Sequence, residues 1–136
     1  MIVLDTNIVL DVFVFNDPAA LPLKDLLATK KMQWIATQAM RDELERVLDY
    51  PKIVARLAFC QVSAMAVLAQ FDSQALLHEA APKAGVTCSD PDDQKFIDLA
   101  VQHGAMLLSK DNAVLCMSKR LLALDVRAQA AIDFVA

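Results

Sequence analysis

Ile2-Val3-Leu4-Asp5-Thr6-Asn7 is a short aliphatic run led by β-branched residues, then three polar residues of the kind that cap helices, ahead of the apolar run Ile8 to Phe15. It reads as a strand passing straight into a helix. The same alternation continues along the chain. Ala19, Leu23, Leu26 and Leu27 repeat at helical spacing, and Gln33 to Ala36 reads as a second strand. Met40, Leu44, Val47 and Leu48 form the buried stripe of a helix that Pro51 ends or restarts, and residues 52–71 continue as one or two apolar helices. Ala75 to His78 is a short strand, and Ala81 to Ser89, with Pro82 and Gly85, is the main loop. Ser89-Asp90-Pro91-Asp92-Asp93 starts a helix that runs to His103-Gly104. Ala105 to Leu108 is a strand and Asp111 begins a helical stretch to Lys119. Leu121 to Val126 is expected as the last strand and Ala128 to Val135 as the last helix. Parallel strands need crossovers, and here the crossovers are helices. The expected fold is therefore α/β: a three-layer α/β/α sandwich with a mostly parallel sheet, built as one domain over residues 1–136.

Composition narrows the function. The chain is 57% hydrophobic, yet its longest charge-free stretch, Leu57 to Phe71, is about fifteen residues and carries Gln and Ser, against the ~20 that a spanning helix needs. Asp5 follows a four-residue apolar start without a basic segment, so no signal peptide and no membrane partner are expected, and the location expected is cytoplasmic. Cys60, Cys88 and Cys116 have neither a CxxC pattern nor Cys/His ligand spacing, so they read as core thiols rather than as a disulfide framework or a zinc site. With 17 acids against 13 Lys and Arg, the chain lacks the basic excess of a nonspecific nucleic-acid coater. A nucleic acid would have to be held by a local patch or through metal ions. Lys and Arg residues such as Lys30, Arg41, Lys110 and Arg120 read as solvated surface. Trp34 reads as core, and His78 and His103 as isolated surface or helix-end residues.

The acids are more informative. In an open parallel sheet, functional groups gather where strands end and helices begin. Asp5 and Asp111 each follow a predicted strand, where an acid ordinarily caps the next helix; their coincidence raises the functional reading. Asp93 lies three and four residues before Phe96 and Ile97 and seven before Ala100, so at about 100° per residue it faces inward, while Asp92 and Asp98 point elsewhere as solvated charges. A carboxylate on that face needs a partner, either first-turn backbone N–H groups or something else. Glu43 sits at the border of its helix's apolar stripe, and spacing alone does not select it. Two carboxylates about 4 Å apart repel by ~4 kcal/mol at an effective dielectric near 20. If these four converge, a divalent cation resolves the conflict, and all-oxygen ligands select Mg²⁺ or Mn²⁺ over zinc. Such a cation suits phosphodiester hydrolysis.

Ile-Val-Leu-Asp5-Thr6-Asn7, Thr37 with Glu43-Leu44, Asp90-Pro91-Asp92-Asp93 with Phe96-Ile97 and Ala100, and Leu107-Leu108-Ser109-Lys110-Asp111 resemble, in order, the motifs of PIN-domain ribonucleases. Among these the chain is most similar to the VapC-like toxin component of bacterial toxin-antitoxin pairs. The resemblance implies an Mg²⁺- or Mn²⁺-dependent endoribonuclease acting on RNA, with Asp5, Glu43, Asp93 and Asp111 at the metal site and Thr6, Asn7 and Ser109 orienting it. It also implies a homodimer and an antitoxin partner. The apolar segments around residues 8–15 and 53–71 extend beyond what one small core buries, which fits either partner. Two other acid-bearing folds fit less well: a receiver domain lacks its acceptor Asp, since only Glu79 follows the middle strand, and a haloacid-dehalogenase-type phosphatase needs an acid where Asn7 stands. The rival from a different class is a catalytically inactive PIN-like interaction module.

Overall fold

A computed structural model describes residues 1–131 of the chain. Its strands β1 (Ile2–Leu4), β2 (Trp34–Ala36), β3 (Ala75–Leu77), β4 (Met106–Leu108) and β5 (Ala128–Gln129) form one sheet in the order β3-β2-β1-β4-β5, with every pairing parallel. Helices flank it: α1 (Thr6–Leu10), α2 (Leu21–Ala28), α3 (Gln38–Leu48), α4 (Pro51–Cys60), α5 (Ala64–Gln74), α6 (Gln94–His103), α7 (Asn112–Leu115) and α8 (Ser118–Leu122). Successive strand residues point to opposite faces, and all of β1 and β2 is buried, so both faces of the sheet are covered. The α/β class expected from the alternation is the one observed.

Local chemistry accounts for the element boundaries. The Thr37 side chain accepts from the Met40 N–H to cap α3, the Ser63 side chain does the same for α5 from Ala66, and Pro51 begins α4 where a missing N–H costs nothing. Gly104, at φ 60°, ends α6 in the left-handed conformation that glycine adopts without strain. Trp34 is buried against Phe13, with ring centroids 6.1 Å apart, and meets Phe71 edge-on at 5.0 Å, which joins the π-helical turn Asp11–Phe15, β2 and α5 in one core. No single helix among the described residues is long and apolar enough to cross a membrane; α4 and α5 are apolar together but bend by 88° and bury Leu57, Val67 and Phe71 in the core.

The order of the strands positions the site. From β1 the chain adds β2 and β3 on one side, then returns to add β4 and β5 on the other. The reversal falls between β1 and β4, whose residues pair from Ile2 with Met106 to Leu4 with Leu108. The crevice outside the carboxyl ends of two such strands is where open α/β sheets bind ligands. Asp5 follows the first of them and Ser109-Lys110-Asp111 the second.

Several expectations need correction. Leu121 to Val126 is not a strand: Leu121 packs four residues after buried Met117 on α8, Leu122 is 60% exposed, and Asp125 turns the chain at φ 62°. The run was ambiguous between periods, and the helical one prevails. The last strand is Ala128–Gln129, paired with Leu107 and Leu108, so the expected helix from Ala128 does not start there, and residues 132–136 lie outside those described. Of the cysteines only Cys88 is a core thiol; Cys60 is half-buried and Cys116 exposed. His78 and His103 are not isolated, since their rings lie 4.5 Å apart. Asp98 is not merely solvated: it accepts from the Ala84 N–H at 2.9 Å and from Gln94 at 2.7 Å, tacking the main loop to α6. The segment from Ile8 to Val14 is fully consumed by the core, whereas Phe59 and Met65, at 80% and 81% exposure, leave the α4–α5 region with apolar surface in solvent.

Candidate metal centre

Asp5 stands at the end of β1 with its backbone pinned to the neighbouring strand, its N–H donating to the Leu108 carbonyl at 2.9 Å. It occupies the position before α1 where a capping side chain would sit, yet its carboxylate makes no such bond. Instead Oδ2 accepts from Ser109 Oγ at 2.6 Å. Ser109 is fully buried, and the same hydroxyl accepts from the Asp111 N–H at 3.0 Å. One hydroxyl thus ties the end of β1 to the loop that follows β4. Asp111 is a true cap, with Oδ1 accepting from Ala113 N–H at 2.9 Å, so capping and membership of the cluster coexist in one side chain.

Asp93 ends the tight turn Pro91–Asp93 that leads into α6, and it is 6% exposed. The inward direction read from helical angle is the one it takes. First-turn N–H groups do not satisfy it; Oδ2 is buried with no hydrogen-bond partner. One carboxylate oxygen from each of Asp5, Asp93 and Asp111 lies within 4.8 Å of the other two. Burial pushes the Asp93 carboxyl up to about 8, helped by the Asp111 side chain beside it and by the negative charges of Asp5 and Asp90. Asp5 is also raised, by burial first and by the charges of Glu43 and Asp111; its bonds from Ser109 and Thr6 oppose the shift. Three acids held this close cannot all ionise without positive charge among them. A hard dication meets that need with the donors present, all of them oxygens.

Glu43 is brought near but not into that group. It sits on α3, half-buried, with Thr6 Oγ1 donating a short hydrogen bond to Oε2 and Lys95 Nζ bonded to Oε1 at 2.7 Å. Lys95 Nζ also donates to the Asp92 carbonyl at 2.6 Å and lies 4.9 Å from the centre of the Phe96 ring. Glu43 therefore carries its own counter-charge. Asp90 and Asp92 stay outside the cluster, Asp90 accepting from the Asp92 N–H to cap the turn. Asn7 accepts from the Lys110 N–H at 3.3 Å, which braces the loop after β4 against α1.

Two charged groups beside the site were missed in the sequence. Lys95 drew no reading, although its place two residues after Asp93, in the first turn of the helix that follows, was visible. Asp11 is buried, and it pairs with Lys110 Nζ at 2.6 Å where α1 widens into a π-helical turn over Asp11–Phe15. A lone acid inside the apolar run Ile8 to Phe15 was the signal for it. Among the basic residues read as solvated, Arg41 is engaged by Asp72, at 2.7 Å, and by Glu45.

The family profile described as PIN domain matches residues 1–113, which include all four acids and strands β1 to β4. No curated protein matches the chain.

Proposed function

The chain belongs to the PIN-domain family, a superfamily of generally metal-dependent nucleases, and on that footing we propose that it is an endoribonuclease that uses Mg²⁺ or Mn²⁺ to hydrolyse RNA phosphodiester bonds. In this reading it is a VapC-like toxin, neutralised by a cognate antitoxin and acting in the cytoplasm, and residues 1–136 form one domain. The observation that carries the catalytic part is the orphaned Oδ2 of Asp93, buried inside a cluster of three acids. A buried carboxylate oxygen without a donor is costly, and a cation removes that cost.

Asp5, Asp93 and Asp111 would hold the ion, with Glu43 joining directly or through water. A bound dication supplies a water of lowered pKa and positive charge at the leaving oxygen. The protein's own groups do the rest. Ser109 orients Asp5 and the Asp111 backbone together, so that two ligands from different strands keep a fixed spacing. Thr6 and Lys95 hold Glu43 beside the cluster. Lys95 and Lys110 supply cationic side chains on an otherwise acidic chain, where an RNA backbone approaching the site meets them. Phe59 and Met65 give the partner reading its support, because an exposed apolar face of this kind is what a second copy or an antitoxin segment covers.

The test is cleavage of a mixed RNA pool by purified protein with Mg²⁺ or Mn²⁺. Asp5→Asn, nearly isosteric, should abolish metal-stimulated cleavage while the circular dichroism spectrum stays unchanged. Wild-type protein that neither cleaves RNA nor binds either metal by calorimetry would leave the interaction-module reading in possession.

A further inference from the structure

Cys88 lies in the loop before the Asp90–Asp93 turn, and Cys116 follows α7; the two are 28 positions apart in sequence, yet both thiols donate to the same oxygen. Cys88 Sγ reaches the Ala113 carbonyl at 3.3 Å and Cys116 Sγ reaches it at 3.4 Å. The sulfurs are therefore separated by less than the sum of those distances. Each thiol is also one link from a cluster acid. The Ala113 N–H is the donor that holds Asp111 Oδ1, so one residue joins both sulfurs to a member of the metal centre. On the other side, the Cys88 N–H donates at 2.6 Å to the side chain of Gln94, the residue that follows Asp93.

We propose that Cys88 and Cys116 are a modification site: a peroxide-sensitive dithiol seated on Ala113, whose closure into a disulfide disturbs the acid cluster through Asp111. Cys116 is exposed and Cys88 is 5% exposed, so peroxide meets Cys116 first. The Cys116 thiolate attacks one peroxide oxygen, the O–O bond breaks, and hydroxide leaves and is protonated to water, giving a sulfenic acid. The Cys88 sulfur then attacks the Cys116 sulfur; the S–S bond forms, the S–O bond breaks, and hydroxide leaves with the Cys88 proton as a second water. Two thiols lose two electrons and one peroxide gains them. Burial raises the Cys88 thiol, against a backbone bond at Asp90 that opposes the shift. Bringing the sulfurs to about 2.05 Å withdraws both donors from the Ala113 carbonyl, so Ala113, whose N–H on the adjoining peptide holds Asp111 Oδ1, must adjust.

The coupling to metal rests on the nuclease reading above, and the experiment separates the two. Full-length protein is treated with hydrogen peroxide, mapped by non-reducing peptide mass spectrometry, and compared by amide NMR with the reduced form. Expected are a Cys88–Cys116 linkage reversed by dithiothreitol, resonance shifts centred on Asp111 to Ala113 and on Gln94, and Mn²⁺ affinity about tenfold weaker, as for loss of a ligand's support. Cys116→Ser should keep its Mn²⁺ affinity under the same peroxide. Linkage through Cys60, or both thiols still alkylatable after peroxide, overturns the proposal. So does a correct linkage that leaves the Asp111 to Ala113 amides unmoved. Reduced protein that binds no Mn²⁺ counts against the nuclease reading alone, because linkage and amide shifts still decide the dithiol.

Discussion

Ser109 Oγ bonds to Asp5 Oδ2 at 2.6 Å across 104 residues of chain, and the same oxygen receives the Asp111 N–H. This single buried hydroxyl sets the spacing of two acids that leave neighbouring strands. Ser109→Ala should weaken Mn²⁺ binding by about 10- to 100-fold, the usual effect of removing a ligand's support, and cost about 1–3 kcal/mol of stability. Calorimetric titration and urea denaturation read the two effects; unchanged Mn²⁺ affinity would show that the hydroxyl serves packing alone.

The pH dependence of the metal-free protein follows from the raised acids. Asp93, with an ordinary value of 3.8, is pushed up to about 8, and Asp5 is raised as well. The folded state therefore holds protons that the unfolded chain has released above pH 4. Stability is fully present below that pH and is lost as pH rises toward 8, with a slope of order 1 kcal/mol per pH unit. Urea midpoints should be higher at pH 5 than at pH 8. Asp93→Asn should flatten the gradient, and a gradient of opposite sign would contradict the assignment.

Metal should reverse that gradient's cost. Saturating Mg²⁺ or Mn²⁺ at pH 8 is expected to stabilise the wild type by about 2–4 kcal/mol at concentrations 100 to 1,000 times the dissociation constant. The thermal midpoint of Asp93→Asn should respond far less. Equal stabilisation of both proteins would put the ion somewhere other than the three-acid cluster.

Lys95 and Glu43 form a half-buried pair at 2.7 Å, with side-chain exposures of 26% and 17%. A double-mutant cycle with Lys95→Met and Glu43→Gln should give a coupling energy of about 1 kcal/mol, the upper part of the range for solvent-touched pairs. In RNA-binding assays Lys95→Met should also lower the slope of affinity against salt by about one ion. A coupling near zero would mean that Lys95 stands near Glu43 without supporting it.

Phe59 and Met65 invite the simplest partner test. Phe59→Glu with Met65→Glu should leave stability within about 0.5 kcal/mol, because neither side chain is in the core. If a second copy covers this face, the double variant should run as a monomer in gel filtration at concentrations where the wild type runs larger. A wild type that is already monomeric at those concentrations removes the homodimer from the proposal.

Much of this was legible in the letters. The strand-to-helix handover at Asp5 follows from a β-branched run that stops at capping residues, and the inward angle of Asp93 from a period of about 3.6, both of which a sequence displays directly. The end of the chain was harder. Leu121 to Val126 offers apolar residues compatible with either period, and only packing beside Met117 decides between them. Glu43 was not decided by spacing because its partners, Thr6 and Lys95, are 37 and 52 positions away. Ser109 was visible as a polar residue before an acid, but its bond to Asp5 belongs to strand order, which no local pattern encodes. The shared carbonyl beneath Cys88 and Cys116 was hidden for the same reason, and spacing had read those thiols as core.

Because β4 lies beside β1 at the point where strand order reverses, Asp5 waits for Asp111 to be synthesised. A ribosome making this protein passes Asp5 well before Asp111, and it must translate past the last acid before the three can meet. Any fragment released early carries the framework of β1 to β3 with an incomplete cation cradle. A cation held by all three acids would therefore require a chain made at least through the loop after β4, a condition that no shorter fragment meets.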